Sequence, residues 1–139
     1  MTERRAPHGC IGIDVDKVLH LKKIVEATGA RIVLTSTWKA EWDKNPDLRE
    51  PDGEYLNDVL EAQDLGILDK TEDKITDRGH GIVRWLSAHP QVTSWVVLDD
   101  DVFPDYEECG VMPHLVKTHF YTGGLTKTLA DKAIDILEA

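Results

Sequence analysis

Three consecutive aspartates, Asp99, Asp100 and Asp101, follow directly on the apolar run Ser94-Trp95-Val96-Val97-Leu98. A run rich in Trp and Val reads as a buried strand, so it delivers the carboxylates together at a strand's C-terminal end. Crowded carboxylates raise one another's pKa unless a cation sits among them. Oxygen-only ligands suit Mg²⁺, which keeps several waters and takes one or two carboxylates together with phosphate oxygens. A solvated acidic turn is the plainer alternative, since Asp favours turns and Pro104 follows. Position at a strand end favours the site, because open α/β sheets bind ligands outside the carboxyl ends of their strands.

The second chemical string is Ile32-Val33-Leu34-Thr35-Ser36-Thr37-Trp38-Lys39. Hydroxyls just past a buried strand, beside backbone N–H groups opening the next element, suit the oxygens of a phosphoryl group. Taken alone, hydroxyl residues cap helices more often than they bind phosphate. Parallel strands end on the same edge, however, so Thr35, Ser36 and the acidic triplet would face one crevice.

These strings need elements to hold them, and helical and strand patterns alternate along the chain. Val18, Leu21, Ile24 and Val25 recur at helical spacing between a capping acid, Asp14 or Asp16, and a stop at Gly29. Ile32 to Leu34 is a short strand, and residues 43–53 form a loop with at most a helical turn. Helices are expected over Glu54 to Asp64 and Gly81 to Ala88, with an exposed loop from Ile67 to Asp77 between them. Ser94 to Leu98 and His114 to Thr118 are strands, and Thr126 caps a last helix with Leu129, Ala133, Ile136 and Leu137 inward. The pattern is that of an α/β fold, a doubly wound and mostly parallel sheet with helices on both faces.

The 139 residues suit one core. Asp and Glu number 26 against 16 Lys and Arg, and the net charge of −10 opposes extended binding along a nucleic-acid backbone. Cys10 and Cys109 define no disulfide framework, which points to a reducing cytoplasm. No apolar stretch reaches the roughly 18 residues of a membrane helix, and Met1 to His8 lacks the apolar core of a signal peptide. The six His show no metal-ligand spacing, so satisfied or surface positions are expected for them. Trp38 and Trp42 are expected to pack against the loop that follows.

In order, Ile-Val-Leu-Thr-Ser-Thr-Trp-Lys, Asp77-Arg78-Gly79 opening an apolar helix with Trp85-Leu86, Trp-Val-Val-Leu-Asp-Asp-Asp, Leu-Val-Lys-Thr and Gly-Leu-Thr resemble the haloacid dehalogenase (HAD) superfamily. Within it the chain most resembles the small capless branch described as HAD domains of Swiss-army-knife RNA repair proteins and their phage and bacterial relatives. The resemblance implies a single HAD-like, Rossmannoid domain over residues 1–139 without a large cap, with a flexible segment at 1–9. It assigns Thr35, with Ser36 beside it, to the transferring phosphoryl group, Arg78 to phosphate charge with Lys74 as fallback, and Asp99 and Asp100 to Mg²⁺. Asp101 and Asp105 are extra acids. The implied function is a Mg²⁺-dependent phosphohydrolase acting on a phosphate monoester, a phosphate-bearing small molecule such as a nucleotide, or a nucleic-acid end. The alternative is a pseudophosphatase, a HAD-fold binding module acting through a protein or nucleotide partner.

The family attacks with the first Asp of an Asp-x-Asp-Gly-Thr/Val motif, and its second Asp is the general acid and base. Ile11-Gly12-Ile13-Asp14-Val15-Asp16-Lys17 resembles that motif, making Asp14 nucleophile and Asp16 acid, with Lys17 where Gly is usual. Spacing favours another alignment. A helix of about a dozen residues and a strand of about five fill the span from Asp14 to Thr35. The family's hairpin flap then has no room, and Asp14 and Asp16 become helix-capping acids. Cys10 to Ile13 would occupy the central strand position, unless another copy of the chain supplies it, and a homo-oligomer is compatible with the sequence. A receiver domain is excluded because its acidic pair precedes its hydroxyl. A Toprim-type nuclease is excluded by the lack of a Glu ending its first strand.

Overall fold

A computed structural model describes residues 4–5, 11–12, 15–35, 37–72, 77–99, 101–118 and 125–139, with only the backbone described for 4–5, 11–12, 15–17 and 37–38. Strands β1 (Arg4–Arg5) and β2 (Ile11–Gly12) pair antiparallel, with Arg5 opposite Ile11. Helix α1 (Val15–Thr28) follows within three residues and stops where expected, at Gly29, whose φ of +72° suits glycine. The Gly29 N–H donates to the Val25 carbonyl at 2.7 Å.

Strand β3 (Ile32–Leu34) pairs parallel with β4 (Ile67–Lys70), so part of the expected loop at Ile67 to Asp77 is a strand. Its charges hid it. Asp69 accepts the Trp85 indole N–H at 2.8 Å, and Lys70 Nζ donates to the Lys39 and Trp42 carbonyls, so both polar ends are satisfied inside the fold. Helix α2 (Pro51–Glu61) starts earlier than the Pro-Asp-Gly string suggested, with Pro51 in the first turn, where a missing N–H costs nothing. It ends with Asp64 at φ +60° and the Leu65 N–H returning to the Leu60 carbonyl at 2.9 Å.

Helix α3 (Arg78–Ala88) also begins earlier than expected and places Arg78 at its first position. Strand β5 (Val97–Asp99) pairs parallel with β6 (Leu115–Lys117), Asp99 opposite Lys117, both shorter than the expected runs. Helix α4 (Lys127–Glu138) is capped by Thr126, whose hydroxyl accepts the Leu129 N–H.

Alternating strand residues point to opposite faces, and the core follows that rule. Val97 and Leu115 pack with Ile82 of α3, Tyr106 and Val111. Val96, Leu98 and Val116 pack with Ile24 of α1 and with Ala130 and Ala133 of α4. Helices therefore cover both faces of the β5–β6 pair, and Val18, Leu34, Trp42, Leu56 and Leu60 form the core beside β3. Trp42 is part of that core, its indole N–H donating to Asn57 Oδ1 at 3.1 Å.

The α/β class and the parallel pairings hold, and the described strands do not join into one continuous sheet. The described strands form three two-stranded sheets, β1–β2, β3–β4 and β5–β6. Gly12 and Ile11, expected in the central slot, are laddered to Arg4 and Arg5 instead. Of the described helices, none is long and apolar enough to cross a membrane.

Candidate functional site

At the C-terminal end of β5, Asp99 is buried and carries three donors. Arg78 Nη1 reaches Oδ2 at 3.2 Å, the Tyr106 hydroxyl donates to the same oxygen at 2.6 Å, and the Asp101 N–H donates to Oδ1 at 3.1 Å. The ion pair is almost dry, its side chains 9% and 6% exposed. Burial, with the Asp99 hydrogen bond and charge, holds the Tyr106 phenol far above its ordinary pKa, so it stays a neutral donor.

Arg78 is fixed from two sides. Its guanidinium carbon lies 4.0 Å from the centroid of the Phe103 ring, a cation–π contact, while Asp99 holds Nη1. Among the described residues Nε is buried without a hydrogen-bond partner. Such an orphaned donor on a positioned cation is an unspent capacity to bind an acceptor oxygen.

Thr35 follows β3 and joins a second group. The Thr71 hydroxyl, just past β4, bonds Thr35 Oγ1 at 3.2 Å, and Lys39 Nζ donates to the Thr35 carbonyl and to Thr71 Oγ1 at 3.4 and 3.3 Å. Two hydroxyls and an ammonium thus gather at the carboxyl ends of one parallel pair, as Arg78 and Asp99 gather at the end of the other. Lys39 and Thr71 were not picked out by sequence reasoning. Lys39 closes the hydroxyl-rich string, but Thr71 joins it across 36 positions, which no local pattern signals.

The extra acids behave differently. Asp101 is exposed and accepts the Val102 N–H. Asp105 turns toward the start of α3: Oδ1 accepts the Gly79 N–H at 2.9 Å, and Oδ2 accepts the His80 N–H at 2.9 Å and faces His80 Nδ1 at 2.7 Å. Gly79 is required there, since a Cβ would strike the Asp105 carboxylate. Burial raises the Asp105 pKa, but the His80 and Gly79 amides and the His80 ring more than offset it, leaving the carboxyl below its usual value. His89 and His114 are satisfied, as expected, by the Trp85 and Trp95 carbonyls and by stacking on those indoles. Asp14, Ser36, Lys74 and Asp100 lie outside the described residues, and Asp16 has only its backbone described, in the first turn of α1.

A family model, HAD domain in Swiss Army Knife RNA repair proteins, matches residues 2–130, nearly the whole chain. The chain belongs to this family. No curated protein and no solved structure matches the sequence significantly. Within the HAD domain, Thr35 follows β3 and Asp99 ends β5, parallel strands of the two separate pairs, and Arg78 opens the helix before the acidic strand.

Mg²⁺ asks for few protein ligands, and Asp99 fits that share narrowly. Oδ2 is spent on Arg78 and Tyr106, while Oδ1 accepts a single amide N–H and keeps a lone pair. The Arg78 charge already balances the carboxylate, so a cation there needs anionic company from a substrate or from Asp100.

Proposed function

We propose that this HAD domain is a Mg²⁺-dependent phosphohydrolase acting on a phosphate monoester, a nucleotide or a nucleic-acid end. The observation that supports this reading is the buried Arg78, held by Asp99 and Phe103 with Nε unsatisfied. A phosphoryl oxygen would supply the missing acceptor, and a preorganised guanidinium stabilises charge that grows in a transition state. The Thr35 hydroxyl would donate to a second oxygen, with the Lys39 ammonium close by to offset charge. Mg²⁺, held by Asp99 and Asp100, would neutralise phosphate charge when bound.

The catalytic steps fall to Asp14 and Asp16. An Asp14 carboxylate oxygen attacks phosphorus as the P–O ester bond breaks, and Asp16 protonates the leaving oxygen. Asp16 then takes a proton from the water that cleaves the aspartyl-phosphate, restoring Asp14 and releasing inorganic phosphate. Asp14→Asn should abolish Mg²⁺-dependent hydrolysis of p-nitrophenyl phosphate while preserving the circular dichroism spectrum. Unchanged turnover in that variant refutes the nucleophile assignment.

One observation favours a second reading. Helix α1 is already under way at Val15, directly after Asp14, leaving no residues there for a hairpin flap. In that reading the domain binds a phosphate ester through Arg78 and Thr35 without turning it over. Calorimetric binding of a nucleoside monophosphate that is weakened by Arg78→Met, with no phosphate released, would select it.

A further inference from the structure

Beside the start of α3 lies a second group of side chains that the phosphoryl chemistry does not use. His80, Asp105 and Cys109 each offer a ligand atom, and these atoms all lie within 4.8 Å of one another. They come from two elements. His80 is in the first turn of α3, while Asp105 and Cys109 stand four apart on one helical turn, closed by the Cys109 N–H donating to the Asp105 carbonyl at 3.0 Å. Glu108 adds a carboxylate, its Oε1 3.8 Å from His80 Nε2.

Helix capping accounts for Asp105 and the two amides it receives. It does not account for the imidazole and the thiol drawn round the same carboxylate. We propose that His80, Asp105 and Cys109 bind a divalent transition-metal ion of the Zn²⁺ class, with Glu108 or water as fourth ligand. A nitrogen, an oxygen and a sulfur donor are the mixture such an ion accepts, unlike the oxygen-only preference of Mg²⁺. In a tetrahedral site neighbouring ligand atoms stand about 3.5 Å apart, as follows from bond lengths of roughly 2.0 to 2.3 Å. The group therefore closes by small side-chain rotations, for which the half-exposed His80 has the room, while Cys109 is partly buried.

Binding is a substitution of cation for protons. His80 Nδ1 and Asp105 Oδ2 lie 2.7 Å apart, and an ion binding between them would displace the hydrogen of that contact, the neutral imidazole carrying its proton on Nε2 instead. The Cys109 S–H loses its proton to solvent as the sulfur–metal bond forms. Burial and the neighbouring Asp105 and Glu108 charges hold the thiol above its ordinary pKa, a crowding of negative charge that a cation relieves. Because the site ties the loop after β5 to the start of α3, the ion also braces the segment that carries Arg78 and Tyr106.

The test uses the full chain, stripped with chelator under reducing conditions and titrated with Co²⁺ in place of Zn²⁺. One equivalent should develop a thiolate-to-cobalt absorption band that Zn²⁺ abolishes. The band should persist in Cys10→Ser and be lost in Cys109→Ser and His80→Gln. Each of the latter two should weaken Zn²⁺ binding by roughly a hundredfold or more, given that even outer-shell changes cost 10- to 100-fold. Zn²⁺ should raise the melting temperature of the wild type and not of Cys109→Ser. No band in the wild type, or one that survives Cys109→Ser and vanishes in Cys10→Ser, overturns the proposal. Neither result touches the phosphohydrolase reading, which rests on Arg78 and Asp99.

Discussion

Replacing both members of the Arg78–Asp99 pair should cost far less than the sum of replacing each alone. With side chains 9% and 6% exposed, the pair has little water to fall back on. Asp99→Asn keeps the shape but leaves the Arg78 charge buried against Phe103 with no anion, which should cost about 4 kcal/mol. Arg78→Met strands the carboxylate less completely, because the Tyr106 hydroxyl and the Asp101 N–H still donate to it, so about 3 kcal/mol is expected. The double variant Arg78→Met/Asp99→Asn has no buried charge and a thioether of similar length over Phe103. It should lose about 3 to 4 kcal/mol in all, a coupling of roughly 3 kcal/mol. Urea unfolding at neutral pH, followed by tryptophan fluorescence and by circular dichroism, gives the three differences provided the m-values agree. Added salt should change them little, since buried pairs are weakly screened. Additivity within about 0.5 kcal/mol would refute the claim that the two charges compensate one another.

Further outcomes follow from single contacts. Gly53→Ala should destabilise by about 3 kcal/mol in the same unfolding assay, because its Cβ would meet the Glu41 carbonyl and the Trp42 amide, which are backbone and cannot step aside. Thr126→Ala should cost about 1 kcal/mol and fray the start of α4, seen as faster amide exchange at Leu129. Asp105 is depressed below the ordinary 3.8, so its stabilisation is complete above that value and is lost as pH falls through the lower folded-state value. Asp105→Asn should therefore lower the melting temperature at pH 7, and the gap to wild type should narrow in acid below about pH 3.8.

The elements legible in the sequence were those whose own residues carry the pattern. Apolar spacing found α1 and α4, and the Trp-Val-rich run found β5, because burial of one face is written into a few consecutive residues. Strand β4 was illegible for the opposite reason. Its Asp69 and Lys70 look like loop residues until Trp85 and two carbonyls, supplied by distant segments, satisfy them. Helix α2 was shortened by a Pro-Asp-Gly string that reads as a turn but serves as a first turn. Within the site, Asp99 was named from its place after an apolar strand and Arg78 from the family resemblance, and the structure joins them. Tyr106 was missed because a hydrogen bond between side chains seven apart across a turn has no sequence signature. The role of Asp105 was hidden likewise, since it caps a helix through an amide 26 positions earlier.

The proposed role of Arg78, bound to Asp99 at the end of the acidic strand, is in phosphate-monoester hydrolysis. Its most direct measurement is inorganic phosphate released from nucleoside monophosphates and phosphate-ended oligonucleotides, with and without Mg²⁺, by wild type and by Arg78→Met at a temperature where both are folded. The account predicts Mg²⁺-dependent release by the wild type and a kcat/KM lower by roughly a hundredfold or more in the variant, the scale of losing one charge-stabilising donor. Release that needs no Mg²⁺, or that proceeds equally in Arg78→Met, would contradict it.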